Sequence, residues 1–187
     1  HFVEAKPSYV RVVNRARMLF NVGLELEVGW LPLLIQGSRN PSLVVVDLSA
    51  GISVLEKPSG PISRAQGDVH PLGNPHYWLD PRNGRLMAKA IQDKLTTLTP
   101  GDAAYFGQRY ADFDRRLAEG EKRWDAAMAP YRGLKIVTYH RSWTNFADRF
   151  QLDVIGYVEP KPGVPPSPQH TINLIKEMKA RNVKILL

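Results

Sequence analysis

From residue 134 to residue 187 the apolar pattern switches back and forth between two periods. LKIVTYH (134–140) is a β-branched run. Residues 142–150 then repeat Trp143, Phe146, Ala147 and Phe150 at helical spacing. DVIGYV (153–158) is a second extended run, Ser167-Pro168 opens a helix carrying Ile172, Ile175 and Met178, and VKILL (183–187) is a third run. Strands that alternate with helices cannot be joined by tight hairpins. They pair in parallel, with each helix serving as the crossover. This alternation restricts the second half of the chain to an α/β architecture.

The first half reads in similar terms. Pro7-Ser8 opens a helix with Ser8 as N-cap, and Tyr9, Val12, Val13, Ala16 and Phe20 follow at three-to-four spacing. Residues 18–22 are open to two readings, the end of that helix or a short strand. A second helix is expected over 25–36, stopped by Gly37. SLVVVDLS (42–49) reads as a buried strand, and a shorter strand is expected near 52–55. A Pro- and Gly-rich loop, 56–75, leads to His76; loops of this length are commonly functional. Asp80 then caps a helix with Pro81 at its first position, whose buried face is Met87, Ala90, Ile91, Leu95 and Leu98.

Thr99-Pro100-Gly101 ends that helix, and a longer one is expected over 101–129. Phe106, Tyr110, Phe113, Leu117, Trp124 and Met128 form its stripe. At about 1.5 Å per residue it spans roughly 40 Å, wider than one small lobe. The fold expected is therefore α/β, with two parallel-sheet lobes bridged by one long helix and a cleft between them. The divisions are 1–100 for the first lobe, 101–129 for the linker helix and 130–187 for a partial second lobe.

Composition narrows the chemistry. With 187 residues, 43% apolar and 23% charged, the chain can bury a core. No apolar run approaches the roughly 20 residues of a membrane helix, and the first residues show no signal-peptide pattern. The absence of cysteine removes disulfides, Cys-ligated zinc and thiol catalysis. The net charge of +7 is spread along helices without a dense basic run, which argues against a nucleic-acid binder.

The histidines carry the functional argument. There are five: His1, His70, His76, His140 and His170. His140 stands where a strand runs out, His76 at the mouth of a helix, and His1 ahead of the first helix. In open α/β sheets ligands bind beyond the carboxyl ends of strands, so these three can converge on one cleft. Neutral imidazoles are good ligands for zinc and related ions, although three of them leave a divalent cation wanting a carboxylate. The separations of 75 and 64 residues match no local metal motif. His70 and His170 read as an ordinary loop residue and an ordinary first-turn helix residue.

Four blocks, HFVEAKPS, GNPHYWLDPRNG, KIVTYHRSWTNFADRF and GYVEPKPGVPPSPQH, with GLELEVGWLP between the first two, give the chain a resemblance. It resembles the zinc- and manganese-binding substrate-binding proteins of ABC transporters, the ZnuA-like and TroA-like family, over nearly its whole length. The resemblance implies two lobes bridged by a rigid helix with the ion between them. It carries the family's ligand histidines onto His1, His76 and His140. It also places a strand ahead of His1 and a fourth ligand, Asp or Glu, beyond residue 187, and so implies further residues at both ends. The implied function is capture of a divalent metal and delivery to a membrane ABC permease. The protein is then a monomer in the periplasm or tethered outside the cell membrane, with no small organic substrate and no nucleic-acid partner. Zinc-specific relatives often have a His- and acid-rich loop before the second ligand; here it holds one histidine, His70, and one aspartate, Asp68. Three nitrogen donors still favour Zn²⁺ over Mn²⁺ as the bound ion.

The alternatives are a manganese carrier of the same family and a three-histidine zinc metalloenzyme. The second has the right ligands for a metal-activated water. It lacks an acid at motif distance to act as general base, a nucleophile elbow and a phosphate loop.

Overall fold

The structure, a computed structural model, describes residues 3–60 and 70–187; residues 1–2, with His1, and residues 61–69, with Asp68 of the 56–75 loop, lie outside the described residues. Two small parallel sheets and a long helix organise it. The first sheet pairs β1 (Met18–Asn21) with β2 (Val44–Asp47), Met18 opposite Val44 and Asn21 opposite Asp47. Residues 18–22 thus begin as a strand. Helices α1 (Pro7–Arg15) and α2 (Leu31–Ser38) pack together through Val13, Leu31 and Leu34.

Several local expectations are corrected here. Ser8 is not the cap of α1. Lys6 is, in extended backbone and without a side-chain bond, because Pro7 already occupies the first helical turn and draws Ser8 inside. The helix expected over 25–36 begins only at Leu31 and ends with Arg39, not Gly37, in the left-handed conformation. Gly23, Leu24 and Glu25 all have positive φ, at 81°, 53° and 64°, and a right-handed helix cannot run through them. The Glu27 carboxylate accepts from the Val22 and Gly23 amides and holds this bend. Gly23 is required there, since a Cβ would stand 2.1 Å from Asp47 Oδ1.

The strand read over 42–49 is shorter and less buried than expected. Val46 is covered, but Val44 and Val45 are 42% and 45% exposed, because β2 has β1 as its only strand neighbour among the described residues. Residues 52–55 form no strand; Ile52 instead packs on Leu24 and Tyr77.

Asp80 caps α3 (Pro81–Leu98) as expected, its side chain accepting from the Arg82 amide. A 3-10 turn, Pro100–Asp102, then leads into α4 (Ala103–Met128), 26 residues long and so about 39 Å. The two helices pack along each other, and Arg85 of α3 pairs with Asp114 and Glu121 of α4. Trp124 is not an inward member of the α4 stripe. It is 42% exposed and lies against Gly120, where a Cβ would come within 3.0 Å of its ring.

The second sheet pairs β3 (Lys135–Thr138) in parallel with β4 (Asp153–Tyr157). On the other side of β3, residues 185–187 exchange backbone bonds with Val137 and Tyr139. Flanked on both sides, β3 is the most buried strand, with Ile136, Val137 and Thr138 at 1% exposure or less. Helix α5 (Thr144–Phe150) crosses between β3 and β4, and α6 (Pro168–Ala180) follows β4, capped by Ser167 as expected. Leu174 and Met178 are the residues of α6 that face this core; Ile172 and Ile175 are exposed.

A candidate metal centre between the two sheets

His76 is held by its neighbours more than by its own contacts. Gly73 turns the chain at φ 106°, where a Cβ would strike Val54 Cγ1 at 2.4 Å, and the Asn74 amide then donates to the Leu55 carbonyl. Pro75 on one side and Tyr77 on the other are fully buried, and the Tyr77 hydroxyl donates to the Val22 carbonyl at 2.5 Å. His76 caps the 3-10 turn Tyr77–Leu79 that runs into Asp80 and α3. The residue is 7% exposed.

His140 lies two residues beyond β3. Thr138, completely buried, donates its hydroxyl to the His140 carbonyl at 2.8 Å, which fixes the backbone as it leaves the strand. The His140 Nδ1 is 2.6 Å from the Glu159 carboxylate, carried two residues beyond β4, and the Glu159 amide donates to the Tyr139 carbonyl. Both groups thus emerge from the same end of the β3–β4 pair, the carboxyl end at which parallel sheets place their ligands.

The two imidazoles meet. Their centroids are 5.5 Å apart with the planes at 74°, one from each side of the cleft. They line a cavity of about 320 Å³ together with His70, Glu56, Arg141 and Lys161. Glu56 and Arg141 form an ion pair across the cleft at 3.8 Å, and the Arg141 guanidinium stacks 4.6 Å over the Tyr157 ring. Burial, with the neighbouring charges of His140 and His70, lowers the His76 pKa to about 4. At neutral pH the ring is therefore uncharged, the form that can donate a lone pair to a metal.

Of the three histidines singled out in the sequence, His76 and His140 come together and His1 lies outside the described residues. Among the described residues no set of three His, Cys, Asp or Glu side chains closes on one ion position. His70, expected to be an ordinary loop residue, stands in the cleft wall. His170 is structural as expected, its Nε2 donating to the Tyr157 carbonyl.

Two residues escaped the sequence reading. One is Glu159, and its signal was an acid just past a strand end, on the level of His140. The other is Asn74, 6% exposed, which touches both sides of the cleft. Its Oδ1 lies 2.9 Å from the His76 amide and 3.1 Å from His76 Nδ1. Its Nδ2 lies 2.9 Å from Glu56 Oε2, 2.8 Å from the Arg141 carbonyl oxygen and 3.1 Å from Thr144 Oγ1, so its two protons are shared among three acceptors. An Asn two positions before a histidine, with a rigid proline between them, was the available hint.

Comparison with known proteins places the chain in a family. The family model described as zinc-uptake complex component A, periplasmic (ZnuA), matches residues 1–187. The high-affinity zinc uptake system protein ZnuA of Yersinia pestis is 25% identical over 185 residues, covering 90% of this chain and 58% of that protein. A metal ABC transporter substrate-binding lipoprotein of Lactococcus lactis is 22% identical across the whole chain and 59% of its own length. A crystal structure of a 138–173 deletion mutant of ZnuA with zinc bound superposes with a TM-score of 0.82 at 27% identity, over all of this chain and 66% of that one. The chain thus spans somewhat under two thirds of these relatives. With a family match from end to end and two sheets arranged as in the zinc-bound relative, the chain belongs to the ZnuA family of periplasmic zinc-uptake components.

Proposed function

We propose that the protein containing this chain captures a divalent transition metal, zinc, in the cleft between its two lobes and delivers it to an ABC permease. The observation that carries the reading is the approach of His76 and His140, 64 residues apart in sequence, to 5.5 Å across that cleft. The ligands are His76 and His140, with His1 as the third. Neutral imidazoles held by buried neighbours pay little reorganisation on binding, and nitrogen donors select zinc over the harder Mn²⁺.

The relatives' names support the rest. One is a zinc uptake protein and another an ABC transporter lipoprotein, which supports a location outside the cytoplasm and a membrane permease as partner. Among the described residues no helix is long and apolar enough to cross a membrane. The family is one of zinc-uptake components, which favours a carrier over the zinc metalloenzyme alternative. Capture needs only that the ion be bound and released, and the long α4 between the sheets suits a protein whose halves move little. The divisions proposed remain 1–100, 101–129 and 130–187, with α4 as the link.

The test is metal analysis and zinc calorimetry of the full-length protein. Zinc at one equivalent is expected, and His76→Ala and His140→Ala are each expected to weaken binding at least about 100-fold, about 2.7 kcal/mol. Unchanged affinity in both variants rejects the site.

A further inference from the structure

We propose that Asn74 is the positioning residue of this centre: one buried amide sets the tautomer of His76 and ties it to the segment that carries His140. The proposal rests on the zinc reading above for its effect on affinity, but not for its effect on the ring.

The orientation of the amide follows from its surroundings. On one side stands a backbone N–H, that of His76, which can only donate; on the other stand a carbonyl, that of Arg141, and the Glu56 carboxylate, which only accept. Reversing the amide would set its NH₂ against the His76 N–H and its oxygen against two acceptors. Oδ1 therefore faces His76. An amide oxygen only accepts, so the His76 Nδ1, 3.1 Å away, must carry the proton. The lone pair is then on Nε2. For His140 the Glu159 carboxylate at 2.6 Å imposes the same choice.

The other end of the amide reaches the second lobe. Arg141 directly follows His140, and Thr144 opens α5; their oxygens accept from Nδ2 at 2.8 and 3.1 Å. These contacts join positions 67 and 70 residues apart. The side chain is short, so the backbone at His76 cannot draw away from the segment that carries His140 without stretching one of its bonds. Asn is suited to this role because it offers an acceptor and a two-proton donor in a rigid plane; Asp has no donor and Ala has neither.

The experiment uses the full-length protein, labelled with ¹⁵N at histidine. Long-range proton–nitrogen NMR of the metal-free form reads the His76 tautomer, and zinc calorimetry reads the affinity. Wild type is expected to show the proton on Nδ1. Asn74→Ala is expected to lose that preference and to weaken zinc binding about 10- to 100-fold, the range for removal of a group that orients a ligand. Asn74→Asp, which keeps the acceptor, is expected to keep the Nδ1 proton. A general packing role would not separate Asp from Ala. The proposal is overturned by an Nε2-protonated His76 in wild type, by a tautomer that Asn74→Ala leaves unmoved, by its loss in Asn74→Asp, or by zinc affinity within twofold of wild type in Asn74→Ala. Should Asn74→Ala fail to fold, the wild-type and Asn74→Asp spectra decide. If wild type binds no zinc, the function proposed above fails, while the tautomer measurement still tests Asn74.

Discussion

Replacing Glu159 by Gln isolates the charge behind His140. The carboxylate lies 2.6 Å from His140 Nδ1 and also accepts from the Gly163 amide at 3.3 Å. Glu159→Gln conserves shape and one acceptor oxygen, so the change is from a charge-assisted bond to a neutral one. Bonds to charged groups contribute about 1.5–3 kcal/mol and neutral ones about 1. The difference, about 0.5–2 kcal/mol, acts on the metal-bound state, because a metal withdraws electron density from the ring and strengthens its Nδ1 proton as a donor. At about 1.4 kcal/mol per decade, zinc affinity is expected to fall roughly 2- to 30-fold. Glu159→Ala, which removes the acceptor altogether, is expected to lose about 10- to 100-fold. Competition of each variant against a zinc chelator at pH 7.5, beside thermal melts of the metal-free protein, measures both effects. Equal affinities in wild type and both variants would refute the reasoning. So would a Gln variant as weak as Ala, because charge would then not be the operative property.

Two other outcomes are expected. Tyr77→Phe removes a hydroxyl that is fully buried on the Val22 carbonyl and leaves that oxygen unpaired; denaturant unfolding should show a loss of about 1–3 kcal/mol, and a loss under about 0.3 would contradict the packing described. In metal-free protein, His76 titrates near 4 when folded and at 6.5 when unfolded, so between these values the unfolded chain binds more protons. Its contribution is complete above about pH 6.5 and is lost as the pH falls towards 4. The ceiling is about 3 kcal/mol, reduced to about half by the solvent-open cleft, and the unfolding free energy of wild type minus that of His76→Gln, followed from pH 7.5 to 4, should fall by that amount.

Much of this was legible along the chain. The Asp80-Pro81 and Ser167-Pro168 helix starts depend on bonds within a few residues, and the structure has both. The alternation after residue 134 dictated parallel pairing, and the spacing over 101–129 indicated the long helix now seen as α4. His76 and His140 were singled out because they stood at element ends, where parallel sheets open their clefts. What failed was decided by contacts that apolar spacing does not record. The start of α2 moved from 25 to Leu31 because Glu27 and Asp47 constrain the turn at Gly23. Burial of β2 was overestimated because apolar composition records what a strand can bury, whereas its neighbours decide what it does bury.

Local pattern thus determined the long helix, the capped helix starts at Asp80 and Ser167, the parallel pairing of the second sheet and the place of His76 and His140 at element ends, since each rests on interactions between near neighbours. Only the folded chain decided that two of those rings face each other at 5.5 Å, that Asn74 spans the gap between them and that Glu159 stands behind His140. Those contacts join residues 19 to 70 positions apart, and no periodicity encodes which distant partner an amide or a carboxylate will find.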